Sequence, residues 1–197
     1  MGSITTGFSM SLDGFIAEPN DSCDRLFTWM FLGDTDFSAP MGGGELALKI
    51  SAESAELLES AVQAAGALIA GRRLFDLTHG WGGRHPLGVP IVVVSHRPAP
   101  EWVEPTWPVT FTESLDGAIE AAQRLAGEKS VAVASASVVQ QCLNAGLMDE
   151  IHIDLVPIVL VKGIPLFANL TIEPAEMKIT ALTQAPGVTH ITYQLVK

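Results

Sequence analysis

Val131 to Phe167 reads VAVASASVVQQCLNAGLMDEIHIDLVPIVLVKGIPLF. The β-branched run Val131–Val133 predicts a buried strand. The small residues Ala134 to Ser137 predict a tight turn. The apolar spacing of Val138, Val139, Cys142 and Leu143 predicts a short helix that ends at Gly146, and Glu150 to Leu160 predicts a second strand. A strand, a turn of small residues and a helix is the unit in which many α/β proteins hold a phosphorylated ligand, because free amides at a helix start favour anions.

Outward from that unit, apolar strands alternate with Ala-rich helical runs. Ile4–Met10 and Gly14–Ala17 predict an opening strand and its continuation, and Asp21 to Gly44 predicts a long loop with a helical piece. Apolar residues at Leu48, Ala52, Ala55, Leu58 and Val62 give Ala47–Ala65 a helical period. Then follow a strand at Ala67–Ala70, a helix at Arg72–Thr78, strands at Val89–Val94 and Val109–Thr112, and a helix at Leu115–Leu125. The chain closes with strands at Met177–Thr183 and Thr189–Val196, joined as a hairpin. The expected architecture is one α/β domain spanning 1–197, a mostly parallel central sheet with an antiparallel C-terminal hairpin and helices on both faces.

Composition narrows the partners. With 197 residues, 48% of them apolar, the chain can bury a substantial core. A formal charge of −11 argues against general attraction to nucleic acid or anionic membrane. Cys23 and Cys142 lie too far apart for a zinc motif and read as reduced thiols. The N-terminus lacks a basic segment followed by an apolar one, and no apolar run is long enough to span a membrane, so a cytoplasmic protein is expected.

An acidic protein that binds an anion must gather its few cations. Gly71 to Arg97 contains Arg72, Arg73, Arg84 and Arg97 against Asp76 alone, a local formal charge of +3. These arginines either hold an anionic ligand or simply solvate the ends of short elements. Their placement favours the first: Gly71-Arg72-Arg73 and Ser95-His96-Arg97 each follow an apolar strand directly, and α/β crevices open at strand carboxyl ends. Three strand ends should therefore converge, the third at Ala134 to Ser137. No G-x-G-x-x-G is present.

Several ordered segments resemble the dihydrofolate-reductase-like family, which includes the reductase domain of riboflavin biosynthesis. They are Ser11-Leu-Asp-Gly-Phe-Ile-Ala17, Gly71-Arg-Arg73, Ser95-His-Arg97, and Gln140 to Glu150 followed by Pro157 and Leu166-Phe167. The resemblance implies NADPH as hydride donor and a homodimer. It places Gly71, Arg72 and Arg73 at the cofactor phosphates, Ser95, His96 and Arg97 at the adenosine 2′-phosphate, and Ala134, Ser135, Ala136 and Ser137 at the pyrophosphate turn. Two positions depart from the family: Ala134-Ser135 stands for a Gly-Gly pair, and Val161-Lys162-Gly163 for Gly-x-Gly. A side chain in the first narrows the phosphate approach, whereas a serine hydroxyl offers it a hydrogen bond.

Hydride transfer also needs a positioned substrate and a proton source. Asp13, in the Ser11–Gly14 turn, is the candidate catalytic group; alternatively it is a turn carboxylate bonding its own backbone. Asp24 and Trp29 either line a substrate pocket or belong to loop surface and loop packing. Asp149-Glu150 reads as a cap and strand-start charge, and His152 with Asp154 has no partner at metal spacing, so no metal is expected. Ser9, Ser11 and Ser95 sit in no Gly-x-Ser-x-Gly elbow. The expected activity is NADPH-dependent reduction of a pterin, folate or aminopyrimidine-like heterocycle. The alternative is a non-catalytic dimeric ligand-binding protein with altered or lost cofactor binding. Riboflavin-pathway reduction fits less well, since no deaminase segment with a His/Cys zinc motif accompanies the chain and a phosphoribityl substrate would call for more cations, although a stand-alone reductase could still perform it.

Overall fold

The computed structural model describes residues 2–196. Its centre is an eight-stranded sheet, built from β1 (Ile4–Ser11), β5 (Ala65–Gly71), β6 (Ile91–Val94), β7 (Val109–Thr112), β8 (Ser130–Val133), β9 (Glu150–Val156), β11 (Met177–Ala185) and β12 (Val188–Leu195). Two strand pairs lie outside it: β2 (Phe15–Ala17) with β10 (Ile164–Pro165), and β3 (Thr35–Met41) with β4 (Gly44–Ile50). The order across the sheet is β11-β12-β9-β1-β8-β5-β6-β7. Strands β9, β1, β8, β5, β6 and β7 run parallel, and β12 and β11 extend the sheet antiparallel at one side.

Side chains alternate across β5 and so divide the core in two. Ala67 and Ile69 join Val131, Val133, Ile151 and Ile153 under α3 (Leu115–Ala126) and α4 (Ala136–Asn144), with Ala118, Ala122, Val139 and Cys142 as the helix contribution. Leu68 and Ala70 face the other way, with Ile91 and Val93, against Phe75 of α2 (Arg72–Leu77) and Trp81. A third cluster gathers Leu26, Trp29, Leu48, Ile50, Val156 and Val188 beside Ala55 of α1 (Ala52–Ala64). The layers are those the sequence predicts.

The chain departs from expectation between residues 21 and 65. The helix predicted over Ala47–Ala65 starts only at Ala52, and the predicted loop over Asp21–Gly44 contains a 3-10 turn at Thr28–Phe31 and the strand β3. The helical period hid a second, shorter one: Leu46, Leu48 and Ile50 alternate and bury one side of β4, which pairs with β3 around the Gly42-Gly43 turn. Ser51 then caps α1, its hydroxyl accepting from the Ser54 amide. At the other end, the final hairpin turns at Pro186-Gly187, with Gly187 at φ +75°. Among the described residues no helix is long and apolar enough to cross a membrane.

Candidate functional site at the strand carboxyl ends

Because β1, β8, β5, β6 and β7 are parallel, their carboxyl ends lie along one edge, and there the three predicted segments meet. The Ser135 hydroxyl reaches from the end of β8 to that of β5 and accepts the Gly71 amide at 2.7 Å. Since that hydroxyl is spent across the strands, α4 has no side-chain N-cap, and its first amides, those of Ala136 and Ser137, have no protein acceptor among the described residues. Any side chain at Gly71 would press on Ser135, whose Oγ lies 3.2 Å from the position of the missing Cβ.

The arginines are already engaged. Arg72 donates through Nε to Asp76 at 2.7 Å and through Nη1 to the Pro98 carbonyl at 2.8 Å and Ser95 Oγ at 3.2 Å. Arg72 thus braces the loop after β6. Arg97 pairs with the second oxygen of Asp76 at 3.1 Å but keeps its side chain 64% exposed. Ser95 Oγ accepts the Arg97 amide at 3.0 Å, which fixes the turn. Together with Phe111, Thr112 and Glu113, the Ser95–Pro98 turn lines a cleft of about 280 Å³, on whose rim His96 is exposed. Arg73 does not join this group; it reaches Asp21 at 2.7 Å and so ties α2 to the early loop.

Asp13 is a clamp between turns. Its Oδ1 accepts from the Ser11 hydroxyl at 2.6 Å and the Leu160 amide at 3.0 Å, and Oδ2 accepts from Val161 at 2.7 Å. The Ser11 hydroxyl leads in holding the Asp13 carboxyl below the usual carboxylate range, with the two amides adding to it. A carboxylate so held is a poor proton donor at neutral pH. It also secures Val161, where the resemblance implies a glycine and which sits at φ +68°. The companion glycine is indispensable, because a Cβ at Gly163 would fall 2.1 Å from the Ala17 carbonyl oxygen.

Trp29 is a core residue rather than a pocket wall. It is 1% exposed, its indole donates to Ser9 Oγ at 3.0 Å, and its ring meets His190 edge-on at 5.1 Å. The wet end of a buried tryptophan needs an acceptor, and Ser9 supplies it. Asp24 is exposed in the same loop, its amide donating to Ser22 Oγ at 3.2 Å.

Sequence reasoning missed a polar line across the sheet. Strand register sets Ser9 of β1 beside Asp154 of β9, and Asp154 beside His190 of β12. His190 Nδ1 lies 2.7 Å from Asp154 Oδ1, and its Nε2 lies 2.8 Å from Ser54 Oγ in the first turn of α1. The distances are those of a Ser–His–Asp triad, but Ser54 is 1% exposed and its oxygen also accepts from Ser51. It is therefore a structural hydroxyl. Strand register joins residues 154 and 190, and the packing of α1 brings Ser54 to them; neither is visible in a linear reading.

No protein-family model matches the chain, and no curated protein does. Solved structures do. A protein of Shewanella sp. PV-4 assigned to riboflavin biosynthesis superposes with a TM-score of 0.74 at 20% identity, over 99% of each chain. A pyrimidine reductase-like protein of Corynebacterium diphtheriae gives 0.62 at 16% identity, over 100% of this chain and 92% of that one. Dihydrofolate reductase of Enterococcus faecalis, complexed with NADP(H), gives 0.59 at 14%, over 100% and 98%. The fold is the dihydrofolate-reductase-like one.

Proposed function

We propose that the chain is an NADPH-dependent reductase, a single dihydrofolate-reductase-like domain that delivers hydride to a small heterocycle of pterin, folate or aminopyrimidine type. The observation that carries this reading is the meeting of Gly71, Ser95–Arg97 and Ala134–Ser137 at one sheet edge, in a fold shared with a reductase that binds NADP(H).

The residues present fit a dinucleotide. Ser135 accepts the Gly71 amide yet keeps its own hydroxyl hydrogen for an anion, and the free amides of Ala136 and Ser137 point the same chemistry outward from α4. Gly71, Ser135, Ala136 and Ser137 would hold the pyrophosphate; Ser95, His96 and Arg97 would line the 2′-phosphate pocket, with Arg72 bracing that loop rather than binding directly. The cofactor supplies the hydride. Asp13 holds the substrate-side turns in register.

The alternative, a ligand-binding protein without catalysis, draws on the fact that Arg72, Arg73 and Arg97 are all paired with acids. Titration calorimetry separates the two. Wild type should bind NADPH more tightly than NADH, and Arg97→Ala should weaken NADPH about tenfold or more while leaving NADH nearly unchanged, as expected for loss of a charge-assisted contact of about 1.5–3 kcal/mol. Equal losses for both cofactors would refute the assignment. A cytoplasmic homodimer belongs to the same reading: β11, the sheet's edge strand, leaves Ile179 58% and Leu182 60% exposed, a surface suited to a second copy. Sedimentation of wild type and of Leu182→Glu tests it.

A further inference from the structure

Parallel sheets are ordinarily covered on both faces, yet Gly7, in the middle of the central strand β1, is exposed. Only the Cβ of His152, 3.6 Å away, comes within 4 Å of where a Gly7 side chain would begin. Register places Thr5 beside Ala132 of β8, so Thr5, Gly7, Ala132 and Ala134 share this face and floor it with small residues. α1 buries only Ser54 and Ala55, and on this floor Gly7 is exposed while Thr5, Ala132 and Ala134 are half-buried.

The polar line borders that floor. One hydrogen assignment satisfies Ser54 and His190: Ser51 donates to Ser54, Ser54 donates to His190 Nε2, and His190 Nδ1–H donates to Asp154 Oδ1. The imidazole and the Ser54 hydroxyl are thereby consumed, and Asp154 Oδ2 is an acceptor left over; it has no protein partner among the described residues, and the side chain is 24% exposed. The neighbouring acid, Glu150, is occupied by His152 at 2.8 Å.

We propose that Asp154 binds the substrate heterocycle, accepting N–H groups from the edge of a flat amino-substituted ring that lies on the Gly7–Ala132–Ala134 floor, with His190 and Ser54 as positioning residues behind it. A fixed carboxylate selects a ring edge rich in donors and rejects anionic ones. The inference rests on the reductase reading for the class of heterocycle, and names the site that would hold it.

The test is titration of pterin (2-amino-4-oxopteridine), followed by its own fluorescence, with NADPH affinity and thermal melting measured on the same samples. Asp154→Asn, isosteric and still able to accept from His190, should weaken pterin tenfold or more and leave NADPH within twofold. His190→Leu should lose several-fold, and His190→Asn, whose amide can restore a donor at the Nδ1 position, should recover most of it; a merely structural histidine would give no such rescue at equal stability. Gly7→Val should melt no lower than wild type, since the space is open and β-branched residues suit strands, yet lose pterin by filling the floor. Pterin binding that is absent in wild type, or unchanged in Asp154→Asn and Gly7→Val, would overturn the inference. Failure of wild type to bind NADPH would instead strike the reductase reading, so the two failures are distinct.

Discussion

Single residues in this protein carry strain and polarity that neighbours must answer. Val161 is β-branched and left-handed at once, a combination that costs roughly 1–2 kcal/mol, and the Asp13 carboxylate holds it there through a 2.7 Å bond to its amide. Val161→Gly should therefore raise stability by about 1 kcal/mol and the melting temperature by a few degrees; an unchanged or lower melting point would mean that the valine side chain earns its place by packing. Ser135 answers the opposite need, a buried amide at Gly71. Ser135→Ala should cost about 1–3 kcal/mol by leaving that amide unpaired, measurable in urea unfolding. The site was legible at this scale only in part. Gly71, Ser95–Arg97 and Ala134–Ser137 announce themselves by following apolar strands, whereas the pairing of Arg73 with Asp21 and of His190 with Asp154 joins residues far apart in sequence, which spacing cannot reveal.

Elements are set by which period wins locally. α3 was readable because its helical apolar face agrees with its cap, Ser114 accepting from the Gly117 amide at 3.1 Å; Ser114→Ala should cost about 1 kcal/mol in thermal or denaturant melts. The β3–β4 hairpin was not readable, because the helical spacing from Leu48 to Val62 runs across the boundary at Ser51 and conceals the strand alternation before it. The hairpin is held at its tip by an unusual partner. His79 to Gly83 are five consecutive residues at positive φ, a left-handed turn. Directly after it, the Arg84 carbonyl accepts the Gly42 amide at 3.1 Å. Gly82 abuts the hairpin so closely that a Cβ there would lie 2.9 Å from Gly42 Cα, whereas nothing lies within 4 Å of one at Gly43. Gly82→Ala, strained by its φ of +59° as well, should destabilise by about 1–3 kcal/mol and speed proteolysis at the tip; Gly43→Ala should do neither. Equal behaviour of the two variants would show that the latch does not hold the hairpin.

At the scale of the whole molecule, stability should depend on pH through His85. Burial pushes the His85 imidazole down to about 4, and its Nδ1 accepts from the Leu87 amide at 3.1 Å, a bond only the unprotonated nitrogen can make. The unfolded chain takes up this proton near the ordinary value of 6.5 while the folded chain does not. Stability from this group is therefore complete above about pH 6.5 and is lost as pH falls toward 4, by about 2 kcal/mol at pH 5. His85→Gln should flatten the melting profile between pH 7 and 4.5; a profile as steep as wild type would assign the acid sensitivity elsewhere. The overall architecture was legible because an alternation of strands and helices with short connections leaves few ways to wind a parallel sheet, and it is this winding that brings three anion-suited strand ends to one edge. Whether they hold a dinucleotide is settled most directly by thermal shift with NADPH. The account predicts a rise of about 5–10 °C at ligand concentrations near a hundredfold above the dissociation constant, in keeping with about 2.7 kcal/mol of added stability, and a smaller rise with NADH. No shift at millimolar NADPH would contradict it.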